Sequence, residues 1–268
     1  MDDKTAEVLV CEIRENSRLT NTALAMTIIC GPIACIARAG QFIYVRCGDD
    51  LLLRRPFGVS NIDGDMLTFV YEVKGAGTRK LSGLKRGDRL DVMGPLGNGF
   101  GLLDGNIVIV GGGLGSPPML YAAKSVRGAV TAVLGFRDSG RVMLVDEFKN
   151  ICEKVIITTD DGSYGVSGNV AQPLEELLIG GGHTTGGGYG KECRYNAVLA
   201  CGQLAMQRAV AEICEKYNVP CRVSLEERMG CGVGACLVCA CETVKNGFTG
   251  MSRVCRDGPV FDAREVVW

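Results

Sequence analysis

Asn106-Ile107-Val108-Ile109-Val110-Gly111-Gly112-Gly113-Leu114-Gly115-Ser116 is the stretch from which the fold is read. Four consecutive β-branched residues form a strand of the kind buried on both faces, and the glycines after it permit a tight turn. Pro117 then opens a helix that runs to Arg127. Val130 to Phe136, Val155 to Thr159 and Ala197 to Ala200 read as further core strands with helices between some of them, the alternation of a doubly wound parallel α/β sheet. The loop from Asp160 to Gly168 leaves one of these strands at the end where ligands of such sheets lie. Upstream the texture differs. Glu7 to Ile13, Gln41 to Arg46, Met66 to Val73 and Arg89 to Met93 are short apolar runs separated by turns, which suggests a small antiparallel barrel or sandwich. After Val223 the chain changes again, into a cysteine-rich segment. The reading is a multi-domain chain: an all-β unit over residues 1–102, the α/β sheet over 103–222 and a small module over 223–268. No internal repeat is visible.

The last module carries the most specific signal. Met229-Gly230-Cys231-Gly232-Val233-Gly234-Ala235-Cys236-Leu237-Val238-Cys239, with Cys255 beyond it, has the C-x4-C-x2-C…C arrangement that plant-type ferredoxins use for a 2Fe-2S cluster. Its glycines let the backbone curl around an inorganic core whose sulfides need amide donors. Structural zinc usually takes two separated C-x2-C pairs, and here there is one. Cys241, two residues past Cys239, points to the opposite face of an extended run and is not counted as a ligand.

Composition narrows the classes. With 29 Lys and Arg against 30 Asp and Glu over 268 residues, no basic field recruits nucleic acid or an anionic membrane. Fourteen cysteines behind an N-terminus reading Met1-Asp2-Asp3-Lys4-Thr5-Ala6-Glu7 point to a reducing cytoplasm rather than an exported, disulfide-bonded protein. The uncharged run from Thr22 to Ala37 is too short to span a bilayer and is broken by Gly31-Pro32, so it reads as two strands joined by a turn. The single histidine, His183, argues against His-dependent hydrolysis and His-ligated metal. It sits in a glycine-rich run, residues 180–190, expected to be a surface loop without chemistry.

Two further regions suggest phosphate and flat-ring binding. Gly111, Gly112, Gly113 and Gly115 offer backbone amides and a helix N-terminus to a phosphate, although Ser116 stands where a dinucleotide fingerprint has its third glycine or alanine. In the all-β unit, Leu53-Arg54-Arg55-Pro56-Phe57-Gly58-Val59-Ser60-Asn61 is followed by Val70-Tyr71-Glu72 and Gly75-Ala76-Gly77-Thr78. An arginine beside a stiffened strand can grip pyrophosphate, the Tyr71 ring can lie on a planar cofactor, and Gly77-Thr78 can donate amides and a hydroxyl.

Taken in order, the Arg-Pro motif, the Gly-x-Gly-Thr loop, Gly94-Pro95-Leu96-Gly97-Asn98-Gly99-Phe100, the glycine turn and the ending Arg253-Val254-Cys255-Arg256-Asp257-Gly258-Pro259 resemble the ferredoxin-reductase superfamily. Within it the chain is similar to the electron transfer subunits of type B, NAD-linked dihydroorotate dehydrogenases. The resemblance spans nearly the whole chain. It implies an FAD-binding antiparallel β-barrel, a central NAD domain and a 2Fe-2S module ligated by Cys231, Cys236, Cys239 and Cys255. It also implies FAD contacts at Arg55, Pro56, Phe57, Gly58, Val70, Tyr71, Glu72, Gly77 and Thr78, and a nicotinamide-side motif at Cys201-Gly202. The chain departs from the family at Gly58, where Arg-Pro-Ile-Ser has its serine, and at Gln203, where a proline is usual. Ser60, on the same strand face, is expected to supply the missing hydroxyl. The implied function is electron transfer between an FMN-containing dihydroorotate-oxidising partner, in a heterotetramer of two plus two chains, and NAD+ during pyrimidine biosynthesis. The competing readings are a flavoprotein subunit of a ferredoxin:NADP or sulfide-linked oxidoreductase, and a cofactor-poor binding module. Arg137 and Asp138, after the strand at Val130 to Phe136, leave the nucleotide's 2′ group undecided from sequence.

Overall fold

In the computed structural model, which describes residues 6–180 and 194–268, the N-terminal part runs β1 (Glu7–Arg18), β2 (Ala23–Ile29), α1 (Gly31–Ala34), β3 (Phe42–Val45), β4 (Arg55–Asp63), β5 (Met66–Glu72), α2 (Ala76–Gly83) and β6 (Arg89–Leu96). The six strands close into a barrel in the order β1-β2-β5-β4-β3-β6, every pair antiparallel. The architecture is a barrel and not a sandwich, and closure leaves no unpaired strand edge. The period-two pattern explains its core: on β5 Leu67, Phe69 and Tyr71 turn inward, where they meet Met26, Ile28, Ile43, Val45 and Val92. Burying each such side chain contributes roughly 1.5–3 kcal/mol.

The uncharged run from Thr22 to Ala37 differs from its reading. Its first part is β2, but Gly31-Pro32 starts the short helix α1 instead of a turn into a second strand. Proline near a helix start loses no backbone bond, and Ile33 plugs the barrel.

The central part continues with β7 (Ile107–Gly112), α3 (Ser116–Lys124), β8 (Val130–Phe136), α4 (Val145–Lys149), β9 (Lys154–Thr159), β10 (Val166–Ser167), α5 (Ala171–Gly180), β11 (Ala197–Cys201), α6 (Leu204–Lys216) and β12 (Cys221–Ser224). The sheet order is β10-β9-β8-β7-β11-β12 with all pairs parallel. Ile107 to Val110 are each at most 2% exposed, as a strand covered on both faces requires. The strand order reverses between β7 and β11, which makes the gap above their C-terminal ends the topological switch point. Gly180 ends α5, so the expected surface loop does not begin there; residues 181–190, with His183, lie outside the described residues.

The C-terminal part forms a two-stranded hairpin, β13 (Ala240–Lys245) and β14 (Phe248–Arg253), and then β15 (Val260–Asp262). β15 pairs antiparallel with β12, so the tail of the cysteine-rich segment is the seventh strand of the central sheet. Three residues of strand leave too short a pattern to separate from loop in the sequence. The two most distinctive motifs meet here. Asn98 donates from its backbone to Gly258 (2.6 Å) and from its side chain to the carbonyls of Arg256 (3.2 Å) and Asp257 (3.0 Å). The Gly94 to Phe100 run is thus the joint between barrel and cysteine-rich module.

Candidate functional site

Cys231, Cys236, Cys239 and Cys255 come together as two pairs. Cys231 and Cys236 lie close enough to act on one another, as do Cys239 and Cys255, and the backbone amide of Cys255 donates to the Cys239 sulfur at 3.4 Å. Cys236 is exposed, whereas Cys239 and Cys255 are each 2% exposed. The Cys231 sulfur accepts the N–H groups of Val233 (3.4 Å), Ala235 (3.3 Å) and Cys236 (3.4 Å). Burial opposes the thiolate, but these amides and the Cys236 thiol outweigh it and bring the Cys231 thiol down to about 6. The curl depends on Gly232 and Gly234 at φ +75° and +83°, a region that L side chains rarely adopt. Arg253 binds Asp257 through two nitrogens (2.9 and 3.0 Å) and donates to the Gly234 carbonyl at 3.3 Å, tying the loop to the Cys255 end. Among the described residues no three His, Cys, Asp or Glu side chains gather as a single metal ion needs. Two thiol pairs with amides aimed at sulfur fit a two-iron cluster. Cys241 stands outside this set on β13, and burial raises its thiol.

A cleft of about 330 Å³ opens on the outside of the barrel, lined by Pro56, Gly58, Val70, Glu72, Thr78 and Met229 among others. The Arg55 guanidinium lies over the amino end of α2: its Nε is 3.4 Å from where a Cβ on Gly77 would stand. Cation and helix N-terminus therefore converge, the donor set that suits a pyrophosphate. The Thr78 hydroxyl is already engaged, accepting the amides of Lys74 (2.9 Å) and Gly75 (3.2 Å), so it shapes the loop. Glu72 is a hub, with Thr22 (3.0 Å) and Arg141 (3.0 Å) on one oxygen and Lys74 (2.8 Å) on the other. Together these features fit FAD.

Two expectations in this cleft are corrected. The Tyr71 ring does not face a planar cofactor; it is 1% exposed inside the barrel, beside Phe57 and Phe69, and donates to Asn16 Oδ1 at 2.9 Å. Strand alternation turns the side chains of its neighbours Val70 and Glu72 toward the cleft, which Tyr71 borders without presenting its ring. Phe57 itself stacks on Phe69 with ring centroids 4.9 Å apart. Ser60 does not replace the missing hydroxyl, because the register shifts between Val59 and Asn61 and Ser60 is buried, 2% exposed, and does not line the cleft. Position 58 has a steric explanation: a Cβ there would stand 2.7 Å from Cγ of Pro118 on α3. Gly58→Ser is accordingly expected to lose about 1–3 kcal/mol of stability without improving flavin retention. Thermal unfolding with a flavin assay checks this, and tighter flavin binding at unchanged stability would contradict it.

The larger cavity, about 560 Å³, lies at the switch point and is lined by Gly112, Gly113, Gly115, Arg137, Asp160 and Gly202 among others. Gly111 and Gly115 do the work of close approach: Ser116 Cα is 2.7 Å from a Cβ on Gly111, and a Cβ on Gly115 would overlap the Cys201 carbonyl. This explains why Ser116 is tolerated where a third small residue was expected. Its buried hydroxyl has no protein partner at the start of α3. Glycine turn and helix start fit a dinucleotide. Cys201 faces the flavin-side cleft and Gly202 the larger cavity. Burial raises the Cys201 thiol to about 12, with nearby Glu226 adding to it. Gln203 keeps φ −60° and ψ 144°, the conformation a proline would preset, so the backbone at this departure matches the usual one. Asp138 is paired with Arg141 at 3.4 Å.

The two cavities adjoin, sharing Glu72, Lys74, Leu114 and Glu226. Leu114, Glu226, Met229, Arg141 and Pro118 were not singled out from sequence. Glu226 had one positional signal: it lies just past the C-terminal end of β12, where such sheets place ligands.

The family described as the iron–sulfur cluster binding domain of dihydroorotate dehydrogenase B matches residues 226–267. The chain is 42% identical over 231 residues to the electron transfer subunit of dihydroorotate dehydrogenase B (NAD(+)) from Caldanaerobacter subterraneus subsp. tengcongensis, covering 85% of this chain and 87% of that one. It is 39% identical over 255 residues to the subunit of the same name from Streptococcus pneumoniae serotype 4, covering 91% and 95%. Among solved structures, a chain of an NADH-dependent reduced ferredoxin-NADP oxidoreductase, described for flavin-based electron bifurcation, matches with TM-score 0.83 at 30% identity, covering 97% of this chain and 90% of that chain.

Proposed function

The chain belongs to the family of electron transfer subunits of NAD+-linked dihydroorotate dehydrogenase B, and from that premise we propose that it carries electrons from an FMN-containing, dihydroorotate-oxidising partner to NAD+. It is an oxidoreductase subunit that works with a catalytic subunit, and its cofactors are FAD, a 2Fe-2S cluster and NAD. When bound, the cluster supplies one-electron chemistry, the nicotinamide two-electron hydride chemistry and the flavin both. The chain's own residues bind and orient. Cys231, Cys236, Cys239 and Cys255 hold the cluster. Arg55, Gly77 and the start of α2 take the FAD pyrophosphate, and Pro56, Gly58, Val70 and Glu72 form its walls. Gly111 to Gly115 and the start of α3 take the NAD phosphates, and Gly202 meets the nicotinamide side. No acid or base of this chain is needed for dihydroorotate chemistry, which belongs to the partner.

The observation that carries this reading is spatial: the flavin-side cleft adjoins the dinucleotide cavity through Glu72, Lys74, Leu114 and Glu226, and reaches the cysteine loop through Met229. The assembly is read as two such chains with two catalytic chains. No helix of the described residues is long and apolar enough to cross a membrane. The thirteen cysteines among the described residues are all unpaired, in keeping with work in a reducing cytoplasm.

The test is an anaerobic spectrum with iron, sulfide and flavin analysis of the purified chain, then titration with NADH and with NADPH. The expected result is one FAD with about two iron and two sulfide, bleached in preference by NADH, and NADH-dependent reduction of artificial acceptors without dihydroorotate oxidation until the partner is added. Dihydroorotate turnover by the isolated chain would refute the division of labour.

A further inference from the structure

Tyr44 belongs to the barrel, yet its side chain serves the cysteine loop. It is 1% exposed, and its hydroxyl lies 3.0 Å from the carbonyl oxygen of Met229 and 3.1 Å from that of Gly230, the two residues before Cys231. Gly232, the residue after Cys231, lies against the ring: a Cβ there would stand 2.7 Å from Tyr44 Cδ1. One side chain therefore touches the loop on both sides of the first thiol. A phenol has a single proton, so the two carbonyls share one donor.

The other end of Tyr44 is firmly held. It pairs with Pro56 across the β3–β4 ladder, next to Arg55, and its carbonyl accepts from Arg54 Nη1 at 3.3 Å. Arg54 is itself anchored to Asp91 at 2.9 Å. Met229 lines the flavin-side cleft. The strand beside the Arg-Pro segment thus fixes the lip of the cleft and the first cysteine through one residue, and a site on rigid elements holds its geometry better than one on a free loop.

We propose that Tyr44 is a positioning residue for the electron step between cluster and flavin, clamping the Cys231 loop to the barrel by its hydroxyl and ring. This rests on the cluster and flavin assignments made above.

The test compares wild type and Tyr44→Phe as full-length, cofactor-loaded chains under anaerobic conditions. On mixing with NADH, flavin and cluster reduction are followed separately by absorbance and by the electron paramagnetic resonance of the reduced cluster. Hydrogen–deuterium exchange of residues 229–236 is measured on both chains, with cluster and after its removal. Tyr44→Phe is expected to keep its iron, sulfide and flavin and to reduce flavin at the wild-type rate. Cluster reduction should slow by about tenfold, as loss of positioning does elsewhere, and exchange in the loop should rise with or without the cluster. A role in general stability would lower flavin content or the melting temperature and leave the ratio of the two rates alone. Loss of the cluster alone, with flavin content and flavin reduction intact and faster exchange in the cluster-free loop, also supports the clamp. Wild-type cluster reduction together with unchanged exchange overturns it. A wild-type chain that takes up no cluster on reconstitution refutes the cluster assignment, which is a different result from either.

Discussion

Cys236→Ala is expected to abolish the cluster and with it electron transfer from the catalytic partner, while leaving the flavin reducible by NADH. Cys236 is exposed, so truncating it opens no core cavity and its effect is one of ligation. Three thiols cannot complete a four-thiolate two-iron site, and the free energy of metal binding that holds the loop goes with the cluster. Partner-dependent NADH formation should fall by more than about a hundredfold, because a route that needs a one-electron carrier has lost it. NADH-dependent reduction of a two-electron acceptor should stay within about twofold of wild type, since Cys236 lines neither of the cavities proposed for flavin and dinucleotide. Iron and sulfide analysis beside the two assays decides it. Cys241→Ala is the control and should keep its cluster, because Cys241 sits on β13 outside the paired thiols. A Cys236→Ala chain with full iron and sulfide would show that Cys236 is not a ligand.

The cysteine loop was legible because its constraint is local: ligand spacing and glycines at left-handed positions are written within a few residues of one another. The same holds for β7 and its glycine turn, where four β-branched residues and a proline-opened helix allow little else. What was not legible depended on contacts between distant segments. Nothing near Gly58 announces that Pro118, sixty residues on, fills the space a serine would need. Tyr71 reads equally as a stacking platform or a core residue until the register of β5 against β2 and β4 decides which face is inward. The bulge beside Ser60 is likewise a property of the β4–β5 pairing and is silent in either strand alone. β15 escaped for a related reason, since its three residues become a strand only because β12 offers a free edge. Glu226 and Leu114 gain meaning from the wall that the two cavities share, and Met229 from the place where the cleft meets the cysteine loop.

Gly115→Ala is expected to produce the largest loss of both stability and NADH binding among single methyl additions at the dinucleotide site. The added Cβ would overlap the carbonyl of Cys201 and stand 2.6 Å from the Gly202 nitrogen, and both are backbone atoms of the neighbouring strand end. A flexible side chain could rotate away, but this strand end cannot, because Cys201 is paired with Gly111 on one side and Ser224 on the other. Relief must come from pushing the glycine turn away from β11, which opens the switch point proposed to read the phosphates of the nucleotide. Overpacking of this kind costs about 1–3 kcal/mol, with backbone contacts at the upper end. At roughly 2–4 °C per kcal/mol for a chain of this size, the melting temperature should fall by on the order of 10 °C. Saturation with NADH should need at least about tenfold more nucleotide, while flavin content holds, because Gly115 does not line the flavin-side cleft. Gly113→Ala sets the scale: nothing lies within 4 Å of its Cβ, and only its φ of +54° stands against it. That backbone penalty is about 1–2 kcal/mol, so Gly113→Ala should show the smaller melting shift and the smaller loss of affinity. Calorimetry and NADH titration on the two variants side by side provide the check. Equal effects would mean that the turn is limited by backbone conformation throughout and that close approach at Gly115 is not what shapes the site.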